Sequence, residues 1–213
     1  MSRSSSAGKR VLTLGALALL APCALAAQQR TEITPFVASY YHLTHLAKGD
    51  VGLIAGNPFT LDQSNAFAFG GRITLPVSGR FGIEGEFSYS LSGVRFNEEN
   101  ISNNIAGGLA QDGSIIHGSV RAVVSPRRSN LFLLAGPAII RRGGDAWDGA
   151  KSSDITDFGG VVGFGFRANV TPRFRVNFTA ESYLYSFNGS GVGSKFQSDL
   201  LVSLGVPISI GGH

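Results

Sequence analysis

The stretch AFAFGGRITLPVSGRFGIEGEFSYS, residues 66–90, puts bulky apolar side chains on every second position and charged ones between them. Phe67, Phe69, Ile73 and Leu75 share one face of an extended segment, while Arg72 and Thr74 share the other. Past Pro76-Val77-Ser78-Gly79, Phe81, Ile83, Phe87 and Tyr89 oppose Glu84 and Glu86. A helix cannot sort this pattern, because its faces recur about every 3.6 residues rather than every two. A soluble sheet would bury the apolar face and hold the charges in water. Here the apolar face is unusually heavy, and only 15% of the chain is charged. The reverse arrangement, with apolar side chains outward and charges enclosed, therefore competes.

The alternation continues. In 113–125, Ile116, Val120, Ala122 and Val124 oppose His117, Ser119 and Arg121. In 157–170, Phe158, Val162, Phe164 and Phe166 oppose Gly163, Gly165 and Arg167. In 173–186, Phe174, Val176 and Phe178 oppose Arg175, Asn177, Thr179 and Glu181; in 196–210, Leu200, Val202 and Leu204 oppose Asp199 and Ser203. With 31–42 and 130–140, whose two faces look alike, the predicted strands number eight. Their connections alternate strictly. Three are tight, at 76–79, 125–129 and Thr171-Pro172; four are long and polar, at 43–65, 92–112, 141–156 and 187–195. In an up-and-down meander this places every long connection at one end and every tight turn, with both termini, at the other. A soluble sandwich has no reason to segregate loop lengths so; a membrane barrel does.

The pattern thus predicts an all-β fold, an eight-stranded antiparallel up-and-down transmembrane β-barrel with its apolar face toward lipid. The enclosed face carries Arg72, Arg121, Arg167 and Arg175 against Glu84, Glu86, Glu181 and Asp199, a balanced network. A symmetric 76–80 turn sets Arg72 across from Glu84. A symmetric turn near Thr171 would oppose Arg167 to Arg175, so a shifted register is expected there. Eight strands leave an interior that side chains fill, which disfavours a wide channel.

The N-terminus reads as a secretory signal over 1–26, followed by the barrel domain over 27–213. Arg3, Lys9 and Arg10 precede the apolar run Val11 to Ala21, and Ala24-Leu25-Ala26 is an A-x-A cleavage site. Leu20-Ala21-Pro22-Cys23 offers a lipoprotein alternative, with Pro22 where a small residue is usual. Three of the 18 Lys and Arg lie in the signal, so 15 face 14 Asp and Glu in the remainder. That balance gives no argument for nucleic acid as a partner. No later apolar run is long enough for a membrane helix.

The signal, the eight strands and the hairpins GRITLPVSGRFGIEGEFSYS and GFGFRANVTPRFRVNFTAESYLY resemble the small outer-membrane β-barrel family, which includes the outer membrane protein A, X and W barrels. The resemblance implies an outer-membrane location with periplasmic termini. It implies lipid and lipopolysaccharide as surroundings, and the barrel-assembly machinery as a partner during biogenesis. The family's terminal strand usually ends in an aromatic residue, where Ile210 stands here. The implied role is non-enzymatic: membrane integrity, or contact with an extracellular ligand through the long loops. W-type barrels imply an alternative, a narrow channel for small apolar solutes. Leu53, Ile54 and Phe59 in the first long loop would then line its mouth, or else cap the barrel.

Other candidates have plain alternatives. His117-Gly118-Ser119 resembles the His-x-Ser pair of a lipid A deacylase barrel, but parity turns both side chains inward and no Asp or Glu lies within the following strand. His42, His45 and Asp50 have weak metal spacing. Asp145, Asp148, Asp154 and Asp157 match no calcium loop. No metal or cofactor is expected. Trp147, the single tryptophan, is either an exposed anchor for a partner or packed among the loops. Tyr40, Tyr41, Tyr89, Tyr183 and Tyr185 fall near the long-connection end and suggest an interfacial belt, with Phe81 and Phe174 at the opposite end.

Overall fold

The computed structural model describes residues 30–49, 59–98, 109–126, 129–148, 155–171, 174–187 and 195–210. The proposed signal lies outside these residues, as do Leu53, Ile54, Asp50 and Asp154. The strands are β1 (Thr31–His42), β2 (Ala47–Gly49), β3 (Phe59–Gln63), β4 (Ala66–Pro76), β5 (Phe81–Ser90), β6 (Val94–Glu98), β7 (Leu109–Gln111), β8 (Ser114–Val124), β9 (Leu131–Gly143), β10 (Thr156–Thr171), β11 (Phe174–Phe187), β12 (Lys195–Gly205) and β13 (Ile208–Ile210). The eight long strands run antiparallel in the order β1-β4-β5-β8-β9-β10-β11-β12, and β12 closes on β1. β13 continues β12 past Pro207 in the same register against β1, with Ile208 opposite Ile33.

Closure fixes the stagger. Thr34 faces Arg72, then the row passes through Glu86, Ser119, Ala138, Gly159, Tyr185 and Gln197. Gln197 is two residues before Asp199, whose β1 partner is His42, so the row returns at position 44, ten residues beyond Thr34. A stagger of about ten residues over eight strands sets a tilt of roughly 40° and a backbone radius of roughly 8 Å. Inward side chains fill a cylinder of that size.

Two hairpins set the register of the charged face. The β4–β5 turn is centred one residue later than symmetry at 78 would give. Val77 and Ser78 both donate backbone N–H groups to the Phe81 carbonyl, at 2.8 and 2.9 Å. Arg72 therefore faces Glu86, and Glu84 faces Thr74, which corrects the expected Arg72–Glu84 pairing. Glu84 instead meets Arg121 across β5–β8. At β10–β11 the register is shifted, as expected: Arg167 faces Asn177, Asn169 faces Arg175, and a bulge follows Asn169.

The outer face is apolar from rim to rim. Val37, Phe67, Phe69, Phe87, Val120, Leu133, Phe164 and Phe178 are among its exposed side chains. Hydrocarbon covers such a surface without cost, whereas water does not. The structure also settles the two ambiguous strands. Phe36, Ala38 and Tyr40 of β1, and Phe132, Leu134, Ala138 and Ile140 of β9, point inward. Glycines make room for the inward rings. A Cβ at Gly70 would lie 2.6 Å from the Phe36 ring, and one at Gly165 2.1 Å from the Phe132 ring.

The long connections are not all loop. Parts of 43–65 and 92–112, expected to be loops, form a second sheet in the order β2-β3-β6-β7. β3 pairs with β6 from the next connection, and Asp62 stands opposite Arg95. Such strands are too short to show alternation, and their partners come from another connection. β9 likewise runs on to Gly143, into the stretch expected as loop. A 3-10 turn over Asp145–Trp147 follows Gly144, whose φ of 89° suits glycine.

Candidate functional site

The barrel interior holds charged side chains in layers. In the middle layer Arg72 (β4) donates from Nε to Glu86 Oε2 at 2.5 Å and from Nη2 to Glu181 Oε1 at 2.8 Å. Its Nη2 also donates to Ser203 Oγ at 2.7 Å, and its Nη1 to Thr179 Oγ1 at 3.2 Å. Arg121 (β8) donates from Nε and Nη2 to Glu84 Oε1 at 2.9 and 2.6 Å. Its Nη2 reaches Glu86 Oε2 at 2.6 Å, and its Nη1 reaches Glu181 Oε2 at 2.7 Å. The Tyr183 hydroxyl donates to Glu86 Oε1 at 2.6 Å, and the Thr74 hydroxyl donates to Glu84.

Glu181 on β11 thus receives guanidiniums from β4 and β8, so the pairs cross the lumen rather than line it. All five charged side chains are buried. Their formal balance is two positive against three negative, and neutral hydroxyls supply further donors. Charge-assisted, multiply shared bonds of this kind hold rigid geometry where no water competes. Each carboxylate oxygen of the layer already has a donor.

A second layer lies toward the long connections. Asp199 pairs with His42 Nδ1, accepts from the Tyr185 hydroxyl at 2.9 Å, and lies 3.5 Å from His117 Nε2. Arg142 pairs with Asp157 and donates to the Tyr185 hydroxyl at 2.9 Å. Its guanidinium stacks 4.6 Å from the Phe187 ring centre and 5.6 Å from that of Trp147. Trp147 is half-buried against Phe187, edge to face at 6.1 Å. A third group occupies the tight-turn end. Arg167 lies 4.9 Å from the Phe132 ring centre, and Arg175 at the rim pairs with Glu32 at 3.1 Å.

The eight charged residues singled out in the sequence therefore divide by height. Arg72, Arg121, Glu84, Glu86 and Glu181 interlock, Asp199 belongs to the layer above, and Arg167 and Arg175 to the end below. Parity assigns a face, not a height. Phe59 opens β3 opposite Gly49 and Glu98, at the long-connection end. His117 and Ser119 are buried inside, and Ser88 Oγ lies 3.5 Å from His117 Nδ1. His42 and His45 diverge, His42 to Asp199 and His45 to Asp62 on the second sheet. Among the described residues no group of three His, Cys, Asp or Glu side chains is arranged to hold a metal. Asp145 and Asp148 are exposed, and Asp157 turns inward to Arg142.

The tyrosine belt needs correction. Tyr40, Tyr183 and Tyr185 are buried in the lumen, and only Tyr41 and Tyr89 of the five point outward. Tyr183 and Tyr185 share parity with Glu181, so alternation within β11 already carried that signal; nearness to a strand end misled. Arg142 had no such signal, because β9 is apolar on both faces below Arg141, whereas Asp157 shares parity with Gly163 and Arg167 on β10, so alternation there did carry it.

The sequence profile of the outer membrane protein beta-barrel domain matches residues 14–206. Solved structures share the fold at low identity. Outer membrane protein OprG from Pseudomonas aeruginosa is 12% identical, with a TM-score of 0.54 over 85% of this chain and 96% of its own. Neisserial surface protein A is 14% identical, with a TM-score of 0.54 over 84% and 97%. Outer membrane protein AlkL, solved in lipid bilayers, is 16% identical, with a TM-score of 0.56 over 87% and 93%. Among curated proteins no sequence matches this chain. The closed eight-stranded barrel, its apolar exterior and the profile match together establish that the chain belongs to the outer-membrane protein β-barrel family and crosses that membrane with its strands.

Proposed function

We propose that this protein is a non-conducting, non-enzymatic outer-membrane anchor that presents a surface for contact outside the cell. The observation that carries this reading is the lumen plug, in which Arg72 and Arg121 reach across to Glu181. A path for ions or small solutes along the axis has to break those pairs. An apolar solute gains nothing from a passage lined by charge, which counts against the channel alternative. Catalysis has no support in the Ser88–His117–Asp199 group: Ser88 has no exposed surface, and both contacts are 3.5 Å.

In this reading the tight turns and both termini face the periplasm. The long connections face outward, where the β2-β3-β6-β7 sheet gives them a defined surface for an extracellular ligand. Lipid and lipopolysaccharide surround the outer wall, and the barrel-assembly machinery inserts it. Planar-bilayer recording of refolded protein tests the plug. The native barrel stays silent, and Arg72→Ala combined with Glu181→Ala yields discrete conductance; steps from the native protein would overturn the reading. Cysteine labelling tests the orientation, since Cys23 in the signal stretch is the only cysteine. Asp148→Cys reacts with an impermeant maleimide on intact cells, and Ser78→Cys does not.

A further inference from the structure

The tight-turn mouth holds a feature that the anchor role does not use. Below the Glu84–Arg121 pair, a cavity of about 200 Å³ is lined by Arg30, Arg80, Arg167, Thr74, Ser125 and Glu32, among others. Its one carboxylate named here, Glu32, is engaged by Arg175 at 3.1 Å. Among the described residues no ion pair includes Arg30, Arg80 or Arg167. Arg167 Nε is buried with no hydrogen-bond partner among the described residues, and its Nη1 reaches Ser125 Oγ only at 3.4 Å. Its guanidinium is held in place by stacking on Phe132, 4.9 Å from the ring centre. The middle layer offers no relief, since its carboxylates are already bound by Arg72 and Arg121.

We infer that this mouth is a binding site for a phosphate-type oxyanion, carried by a lipid headgroup or free in solution. Three guanidiniums around one small cavity repel each other until an anion joins them. The planar fork of arginine matches a phosphate through paired N–H donors, and the Ser125 hydroxyl, which accepts from Arg167, keeps its own proton to donate at shorter reach. Arg167 is the fixed donor, inside the wall; Arg30 and Arg80 sit exposed on the rim, free to close over the ligand. A buried donor without a partner marks where an acceptor belongs. The site rests on this geometry alone and does not depend on which way the barrel faces.

The test uses the refolded full barrel in non-ionic detergent, at constant ionic strength set with chloride. Calorimetry with inorganic phosphate and, separately, with dihexanoyl phosphatidic acid measures binding. Saturable binding of either probe is expected. It weakens at least ten-fold in Arg167→Gln and in the double variant Arg30→Gln/Arg80→Gln, whose exposed positions leave folding intact. Glu32→Gln, which removes the local negative charge, tightens it, and Arg95→Gln at the far end changes nothing. Binding of phosphate itself identifies a free ion as sufficient; binding of the lipid alone identifies a headgroup. If neither probe saturates, or if binding survives both the Arg167 and the rim substitutions, the inference fails.

Discussion

Arg121→Met is the sharpest probe of the enclosed network. Methionine keeps an unbranched stem about as long as arginine's aliphatic part and removes the guanidinium with its charge. Arg121 supplies bonds to all three glutamates of the middle layer. After the change, Glu86 and Glu181 still have Arg72, but Glu84 keeps only the Thr74 hydroxyl. A buried carboxylate left without its cation costs about 3–5 kcal/mol. The comparison is Arg175→Met, which breaks the rim pair with Glu32, where the arginine side chain is 43% exposed. Exposed pairs of that kind contribute about 0–1 kcal/mol. Urea unfolding in lipid vesicles, followed by the mobility difference between folded and unfolded barrel, reads both. Glu84→Gln placed in the Arg121→Met background removes the stranded charge and recovers part of the loss. The two sites touch, so a coupling of roughly 1–3 kcal/mol is expected. Unfolding midpoints that agree for Arg121→Met and Arg175→Met would refute the idea that these charges are sealed from water.

Other substitutions test separate parts of the fold. Phe164→Lys, near the middle of the lipid-facing wall, lowers stability by about 2–4 kcal/mol, whereas Ile210→Lys at the edge costs at most about 1 kcal/mol; equal effects in vesicle unfolding would contradict the assigned faces. Tyr183→Phe removes the 2.6 Å bond to Glu86 and lowers stability by about 1.5–3 kcal/mol, while Tyr89→Phe on the outer wall is close to neutral. Gly165→Ala drives a methyl group into the Phe132 ring, costs about 1–3 kcal/mol, and is partly rescued by Phe132→Leu. Gly70→Ala meets the Phe87 carbonyl at 2.2 Å as well as a ring, so no side-chain change in the same unfolding assay restores it.

Much of the barrel is local in origin. A pleated strand points successive side chains to opposite faces, so Phe67, Phe69 and Ile73 against Arg72 and Thr74 reveal two environments before any partner is known. Alternating short and long connections then give the meander, because each reversal returns the chain to the same end. Those two regularities, carried by single strands and single turns, were enough for the closed eight-stranded fold and for lipid on the outside.

Register, height and cross-connection pairing are not local. One residue of offset in the 77–80 turn moves Arg72 from Glu84 to Glu86, because antiparallel partners slide in opposite directions. Strand tilt separates side chains of equal parity along the axis, which splits Asp199, Arg167 and Arg175 from the central five. Strands β3 and β6 find each other across different connections, where no periodic signal exists. Composition and alternation determined by themselves which side of the wall the residues of the six patterned strands occupy; only closure of the cylinder placed the faces of β1 and β9 and decided which charges meet, since that depends on a stagger summed around all the strands.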